Sequence, residues 1–323
     1  MRYKMGGLLA TLFIGVALNS PAQAGQNFPS KPITIVVPFA PGGGADILAR
    51  LISQDVAKNL EVPVLVENRP GGGTLIAAQA VARAKPDGYT VLTAVSATMV
   101  MNPHLYTDLP YDPKKDFAPV TLASSMPMVI AVNPEFPVKS LKELTDHIQR
   151  NPGELSYAYG ATGGQIVGEL YRDRAGLDVQ GIAYNGSTPA QNDVVGGHLP
   201  IIVDALTPAL SLLKSGRLRP LAVSSAERAA VLPDVPSLEE EGLQGIDVGG
   251  WTGFAVPAGT PQQVIDRLHE AFHTALSAPE IRSKLESLGQ TVYASDGEAF
   301  RARIDRDYDL FGEVIRSAGI EIR

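Results

Sequence analysis

The alternation of apolar and polar positions near the start of the chain predicts a strand, a glycine loop and a helix in direct succession. The apolar run from Ile33 to Val37 is typical of a strand that is buried on both faces, as in a parallel sheet. Two prolines end that strand, and the glycines at 42–44 give the backbone room for close approach to another group. After Asp46, apolar residues recur at helical spacing.

A helix that begins directly after a glycine loop offers a site for an anion. Its first N–H groups have no partner within the helix, and the helix dipole places partial positive charge there. We therefore expect a carboxylate of a ligand on this loop, while a plain turn between strand and helix is the alternative. Asp46 would either cap the helix or receive a ligand amine or an ordered water.

Strand and helix patterns alternate through the rest of the chain, and this alternation predicts a mostly parallel α/β architecture. Two further glycine loops, at 71–73 and 160–164, each precede a helix pattern. One predicted strand ends at Ser96, one ends before the turn at 185–187, and one ends at Asp204. In open α/β sheets, ligands bind at the edge where the strands end. Two glycine loops in the first third of the chain and one in the middle third indicate two lobes that face a shared cleft.

The first 24 residues form a targeting segment that lies outside the fold. Arg2 and Lys4 give a positive start, and the apolar core that follows is too short to anchor in a bilayer. The triplet Ala22-Gln23-Ala24 matches a cleavage site. We therefore expect export and a mature chain that begins near Gly25.

The acidic balance of the chain and its lack of cysteine exclude several classes of function. The formal net charge is −7 at pH 7, which argues against nucleic acid or an anionic membrane as a partner. Without cysteine the chain forms neither a thiol nucleophile nor a thiolate metal site. An anionic ligand stays compatible with this charge, because a local helix terminus outweighs distant surface charge.

One string matches a catalytic motif. His269-Glu270-Ala271-Phe272-His273 fits H-E-x-x-H, in which two histidines one helical turn apart bind zinc and the glutamate acts as a base. A zinc hydrolase is therefore one hypothesis. Both histidines fall on the flank of the apolar stripe of their helix, and no recognisable third ligand follows, so we favour two surface histidines.

A series of short motifs carries a family resemblance that covers the mature chain. These motifs are Pro38–Gly43 with Asp46, Glu67–Gly71, Pro86–Thr90, Tyr111–Pro113, Asp116–Val120, Tyr184–Gly186, Gly216–Val223, Leu232–Pro236 and Pro257–Pro261. Together, in this order and behind an export segment, they resemble the substrate-binding receptors of tripartite tricarboxylate transporters, also called Bug or TctC proteins.

The resemblance implies an α/β, two-lobed periplasmic-binding-protein fold, type II-like, with two mostly parallel sheets flanked by helices around a central cleft. It implies a signal peptide at 1–24, lobe 1 at 25–125 plus 251–323, and lobe 2 at 126–250. Such a protein works in the periplasm as a monomer, without cofactor, metal or nucleic acid. It captures a small organic carboxylate, such as a di- or tricarboxylate, and delivers it to membrane transport subunits of the tripartite tricarboxylate type. A receptor that signals to a membrane sensor is the alternative.

The resemblance also implies which residues hold the ligand, while no catalytic residue is expected. One carboxylate would lie between the loop after the first strand and the glycine loop of the second lobe, held largely by backbone N–H groups and ordered waters. The residues carried over for this are Phe39, Ala40, Pro41, Gly42, Gly43, Gly44 and Asp46, with Thr162, Gly163, Gly164 and Gln165. The rest of the ligand would contact Ser96, Thr98, Asn185, Gly186, Ser187 and Asp204.

Overall fold

The computed structural model describes residues 28–243, 249–317 and 322, so the expected signal peptide at 1–24 lies outside the described residues. The strands are β1 (Ile33–Val37), β2 (Val64–Asn68), β3 (Thr90–Val95), β4 (Phe117–Met126), β5 (Met128–Val132), β6 (Ser156–Tyr159), β7 (Gln180–Ala183), β8 (Ile201–Ala205), β9 (Arg219–Val223), β10 (Gly250–Pro257) and β11 (Thr291–Val292). The helices are α1 (Gly44–Leu60), α2 (Leu75–Ala82), α3 (Asn102–Leu105), α4 (Leu141–Arg150), α5 (Thr162–Arg174), α6 (Ser187–Val195), α7 (Leu206–Lys214), α8 (Gln262–Ser277), α9 (Pro279–Ser287) and α10 (Gly297–Ser317). Within the described ranges, no helix has both the length and the apolar character that crossing a bilayer requires.

The strands form two separate sheets. In the first sheet the spatial order is β11-β4-β10-β3-β1-β2, and in the second it is β7-β6-β8-β5-β9. The first sheet therefore combines strands from 33–126 with strands from 250–292, whereas the second takes its strands from 128–223. The result is two lobes, each built on one sheet with helices packed against it.

Both sheets are mixed, although the alternation of strands and helices indicated mostly parallel ones. β1 pairs in parallel with β2 and β3, while β10 runs antiparallel to both β3 and β4. In the second sheet β6 pairs in parallel with β7 and β8, while β5 runs antiparallel to β8 and β9. The sequence pattern did not reveal this because β5 follows β4 with only Pro127 between them, and no helix marks the change of sheet.

The chain passes between the sheets at two adjacent places. The first passage is Pro127, which joins β4 of the first sheet to β5 of the second. The second passage lies between β9 and β10, and Gly250 at the start of β10 is opposite Met126 at the end of β4. Two neighbouring strand ends at one crossing form the kind of connection about which lobes rotate as rigid bodies.

The apolar positions of β1 and α8 lie in the core of the first lobe. Ile33 and Ile35 are fully buried, as expected for a strand covered on both faces. On α8, Leu268 and Phe272 are fully buried, and Phe272 stacks on Phe254 of β10 with ring centroids 4.3 Å apart. Helices held in this way fix the loops at the edges of the sheets, and those loops form the cleft.

Candidate ligand-binding cleft

A cavity lies between the two sheets, where the loops that follow β1 and β3 face the loops that follow β6 and β7. It measures about 710 Å³, including the part that is open to solvent. The first lobe contributes Phe39–Pro41, Gly43–Ala45, Val95–Ala97 and Gly250–Thr252 to its lining. The remaining walls are Met126 and Met128 at the crossing, and Gly160, Ala161, Gly163, Gly186–Thr188 and Ala205 of the second lobe.

A second space adjoins this cavity, and we call it the outer hollow. It shares Phe39, Ala40, Gly160 and Gly186 with the lining of the cavity. Its other walls are the second glycine loop, Pro70–Thr74, together with Tyr106, Thr162, Gln165, Tyr184 and Asn185. The cavity and the outer hollow therefore form one continuous cleft.

The two lobes approach each other closely over the cavity. A methyl group added at Gly186 would lie 3.8 Å from the Cβ atom of Ala40. One added at Gly42 would lie 3.8 Å from the Oγ1 atom of Thr188. The loop after β1 and the start of α6 therefore lie close to each other across the cavity.

Three helices from the two lobes begin at this cleft, and none has a side-chain cap. The N-cap residues are Gly43 for α1, Ala161 for α5 and Gly186 for α6, and no side chain accepts a hydrogen bond at any of them. The surface helix α4 differs, because the hydroxyl of Ser140 accepts the N–H of Glu143 at 3.1 Å. The first N–H groups of α1, α5 and α6 are therefore available to a ligand.

The described part of the cleft offers these backbone dipoles without an ionised side chain. Among the described residues that line the cavity and the outer hollow, there is no aspartate, glutamate, lysine, arginine or histidine. The polar side chains are hydroxyls, phenols and amides, such as Ser96, Thr188, Tyr184 and Asn185. An anion bound here would be held by N–H groups and helix dipoles, as at other helix N-termini.

The loop after β1 takes its shape from a buried carboxylate beneath it. Asp46 accepts the Gly42 N–H and the Arg50 Nε–H, both at 2.9 Å, and the Asn68 amide at 2.8 Å. Asn68 also donates to the carbonyl of Phe39 at 2.9 Å. Burial alone would raise the pKa of Asp46, but the bonds from Gly42, Arg50 and Asn68 outweigh it and hold the pKa below its usual value. Asp46 therefore stays ionised and orders the loop from below.

The end of β3 supports the second glycine loop. After Ser96 the chain forms a short π-helix, Ala97–Met101, a feature that occurs often at functional sites. Thr98 is fully buried and its hydroxyl donates to the hydroxyl of Thr74 at 2.8 Å. Asn102 donates to the carbonyl of Gly73 at 2.8 Å. Ser96 thus lines the cavity, whereas Thr98 holds the loop that lines the outer hollow.

The glycines of the second-lobe loop allow close packing of backbones. A methyl group on Gly160 would lie 2.4 Å from the carbonyl carbon of Gly186, and one on Gly164 would lie 2.3 Å from the carbonyl oxygen of Val203. Real Cβ atoms do not come so close to backbone. The two glycines therefore let α5 and the loop before α6 lie against each other and against β8, which brings both helix N-termini to the cleft.

Asp204, at the end of β8, lies directly behind the cavity wall. Only 1% of its surface is exposed. It accepts the Ser187 hydroxyl at 2.6 Å, the Gln191 amide at 2.7 Å and the Ala205 N–H at 2.9 Å. Burial raises the pKa of Asp204 more than these three hydrogen bonds lower it. Of this group, Ser187 and Ala205 line the cavity, and Ser187 does so at the start of α6.

The sequence profile described as "Tripartite tricarboxylate transporter family receptor" matches residues 48–320 of the chain. The chain belongs to this family of receptors. Over 318 residues the receptor is 38% identical to a UPF0065 protein of Bordetella bronchiseptica, a match that covers 98% of this chain and 95% of that protein. The expectation of a solute-binding receptor is thereby confirmed.

Solved structures match the receptor over nearly all of its described length. The Rpa4515 protein of R. palustris, solved with adipate, has a TM-score of 0.89 and 29% identity, and the match covers 92% of this chain and all of that one. MatC from Rhodopseudomonas palustris, solved with bound malate, has a TM-score of 0.85 and 32% identity, with 89% of this chain and all of that one covered. The expected two-lobed binding-protein fold is confirmed.

Most residues that the sequence indicated for the ligand site lie in the walls of the receptor's cleft. Phe39, Ala40, Pro41, Gly43, Gly44, Ser96, Gly163, Gly186 and Ser187 line the cavity, and Thr162, Gln165 and Asn185 line the outer hollow. Gly42, Asp46, Thr98, Gly164 and Asp204 belong to neither lining. These five bond to or pack against residues that do line the cleft.

Several lining residues of the receptor escaped the sequence analysis. Met126 and Met128 flank Pro127 at the crossing and enter the cavity beside the hinge. Trp251 is buried and lines the cavity, and its Nε1–H donates to Asp307 at 2.9 Å. These residues lie at the two passages of the chain between the sheets, and this position could have indicated that they line the cavity.

The H-E-x-x-H string of the receptor serves to dock α8. The Nδ1 atom of His269 lies 3.2 Å from the carbonyl oxygen of Val120, and that of His273 lies 2.9 Å from the carbonyl oxygen of Ala294. Glu270 is exposed and pairs with Arg267. Over residues 28–243 and 249–317, no three ligating side chains come together where they could hold a metal ion. This geometry favours the interpretation as two surface histidines.

Proposed function

We propose that the receptor captures a small organic carboxylate in the cavity between its lobes. The observation that carries this proposal is the convergence of three uncapped helix N-termini, of α1, α5 and α6, on a cleft whose described lining residues include no ionised side chain. Each helix N-terminus stabilises an anion by about 0.3–2 kcal/mol, depending on burial. Adipate and malate in the related structures belong to this chemical class.

The proposed lobes are residues 25–125 plus 251–323 for lobe 1 and 126–250 for lobe 2, hinged where β4 and β10 meet the crossing. The ligand would enter while the lobes are apart, and closure would bring the loop after β1 against the start of α6. Backbone N–H groups from both lobes then hold one carboxylate, which links binding to closure.

We further propose that the protein is exported by residues 1–24, cleaved near Ala24, and works in the periplasm as a monomer. There it delivers the carboxylate to membrane transport subunits of the tripartite tricarboxylate type. The family to which the chain belongs consists of receptors, and this supports a role as a receptor and not as an enzyme.

A thermal-shift screen tests this proposal. The panel is malate, adipate, succinate, citrate and benzoate, with dimethyl adipate as a neutral control, on protein stripped of bound ligand. An acid at a hundredfold excess over its Kd should stabilise the fold by about 2.7 kcal/mol and raise Tm. The proposal predicts a shift with at least one acid and none with the ester. No shift with any acid, or an equal shift with the ester, would contradict it.

A further inference from the structure

Asp204 is a buried carboxylate that has no cationic partner among the residues that the structure describes. Its three hydrogen-bond donors are the Ser187 hydroxyl, the Gln191 amide and the Ala205 N–H, and all three are neutral groups. A buried charge that lacks a partner is strongly disfavoured, so such a group tends to become neutral by binding a proton. Asp204 is thus poised to take up a proton in the folded protein.

The charged groups that the described elements around Asp204 carry either pair with other residues or lie at the far ends of their helices. The ionisable residue of α6 is Asp193, which accepts a hydrogen bond from the hydroxyl of Tyr184. On α5, Glu169 accepts the Tyr157 hydroxyl of β6 and pairs with Arg172. The sequence of β5 contains no ionisable residue, α7 carries only Lys214 at its far end, and β6 contributes only tyrosines. The protonation of Asp204 therefore depends mainly on its own burial and on what occupies the cavity.

Ser187 connects Asp204 to the cavity. A serine hydroxyl has one hydrogen to donate. When Asp204 is ionised, that hydrogen points to Oδ1 at 2.6 Å, and Ser187 turns its lone pairs toward the cavity, where they repel a carboxylate. When Asp204 is protonated, its own hydrogen is donated to the Ser187 Oγ atom, and the Ser187 hydrogen is free to point to the ligand.

We propose that Asp204 binds one proton from solvent together with the anionic ligand, and that this proton makes the Ser187 hydroxyl a donor to the ligand carboxylate. This inference rests on the proposed carboxylate function. The bound anion and an ionised Asp204 repel each other across Ser187, so the anion favours the protonated form. Asp204 acts as a positioning residue, because it touches the ligand only through Ser187.

The coupling of proton uptake to ligand binding determines how the affinity for the ligand changes with pH. The complex holds more protons than the free receptor, so affinity falls as pH rises between the pKa of Asp204 in the free receptor and its pKa in the complex. The fall reaches up to about tenfold per pH unit in that interval. Below that pH interval, the affinity does not change with pH through Asp204, because the residue is already protonated before the ligand binds.

Calorimetric titration of the whole mature protein measures this linkage directly. The probe is the tightest binder among malate, adipate, succinate, citrate and benzoate, titrated at each pH from about 5 to 8 in two buffers that differ in ionisation enthalpy. The difference in binding enthalpy between the two buffers gives the number of protons taken up. We expect net uptake of up to one proton by the wild-type receptor. Uptake that is absent at every pH would overturn the inference while leaving carboxylate binding, and hence the proposed function, intact.

Two variants assign the proton. Asp204→Asn keeps the shape of the side chain and offers an N–H to Ser187, so it should bind the acid with proton uptake close to zero. Protons that the ligand itself gains or loses on binding are still measured in this variant, and this quantity is subtracted from the proton uptake of the wild type. Glu169→Gln removes another buried carboxylate of the same lobe and should keep the wild-type uptake.

Equal uptake by wild type and Asp204→Asn would overturn the inference, and if that variant does not fold, the wild-type buffer comparison still decides. Absence of binding by every acid would instead contradict the proposed function.

Discussion

Replacing Asp46 with alanine should loosen the loop after β1 while the fold survives. The substitution removes a carboxylate that is 3% exposed and that accepts from Gly42, Arg50 and Asn68. A hydrogen bond of this kind contributes about 0.5–1.5 kcal/mol, and a buried donor left without an acceptor adds to the loss. We therefore expect the free energy of unfolding to fall by about 2–3 kcal/mol.

The same substitution should weaken ligand binding at least tenfold. Without Asp46 the loop from Pro38 to Gly43 is ordered only when the ligand binds, and the free energy of ordering is then subtracted from the binding free energy. A tenfold loss corresponds to about 1.4 kcal/mol. This effect does not require Asp46 to touch the ligand, which agrees with its position beneath the loop.

Urea unfolding followed by circular dichroism measures the first effect, and calorimetric titration with the tightest-binding acid measures the second. Asp55→Ala is the matched control, because Asp55 lies on the same helix and pairs with Lys58 at the surface. The control should change neither quantity. Wild-type affinity and wild-type stability in Asp46→Ala would refute the reasoning that this carboxylate shapes the cleft.

Three other outcomes follow from the structure. Gly160→Ala places a methyl group 2.4 Å from backbone and should lower stability by about 1–3 kcal/mol in urea unfolding; wild-type stability in this variant would count against the packing argument. The double variant His269→Ala with His273→Ala should keep wild-type ligand affinity, and purified wild-type protein should hold no stoichiometric zinc by mass spectrometry; stoichiometric zinc that disappears in the double variant would revive the hydrolase hypothesis. Because the pKa of Asp46 is lowered in the folded state, its stabilisation is present above the usual value of 3.8 and is lost as pH falls through the lowered pKa. Asp46→Asn should therefore be less stable than wild type at pH 7, with the difference shrinking in acid, and a constant difference across pH would contradict this.

Local patterns in the sequence were sufficient to predict the first glycine loop and its flanking elements. The strand at 33–37 has the bounds that its apolar run indicates, since β-branched residues buried on both faces leave a clear pattern. The helix begins at Gly44, three residues before the predicted start after Asp46. Small residues at 44 and 45 carry no amphipathic signal, so the pattern did not reveal the first turn.

Features that depend on contacts between distant segments were not predictable in this way. The antiparallel strands around Pro127 arise from the passage of the chain between sheets, which no local periodicity records. Asp46 follows a buried strand and Asp204 lies at the end of one, as expected, but the direction of each side chain is decided by distant donors such as Asn68 and Gln191. The sequence therefore indicated which segments form the cleft better than which side chains face it.

A crystal structure of the receptor with its tightest-binding acid would test the central claim most directly. The account predicts one ligand carboxylate within hydrogen-bond distance of the N–H groups at the start of α1 and α6, with the loop after β1 closed over it. An acid held outside the cavity, or held there by an arginine or lysine side chain instead of these helix N-termini, would contradict the account.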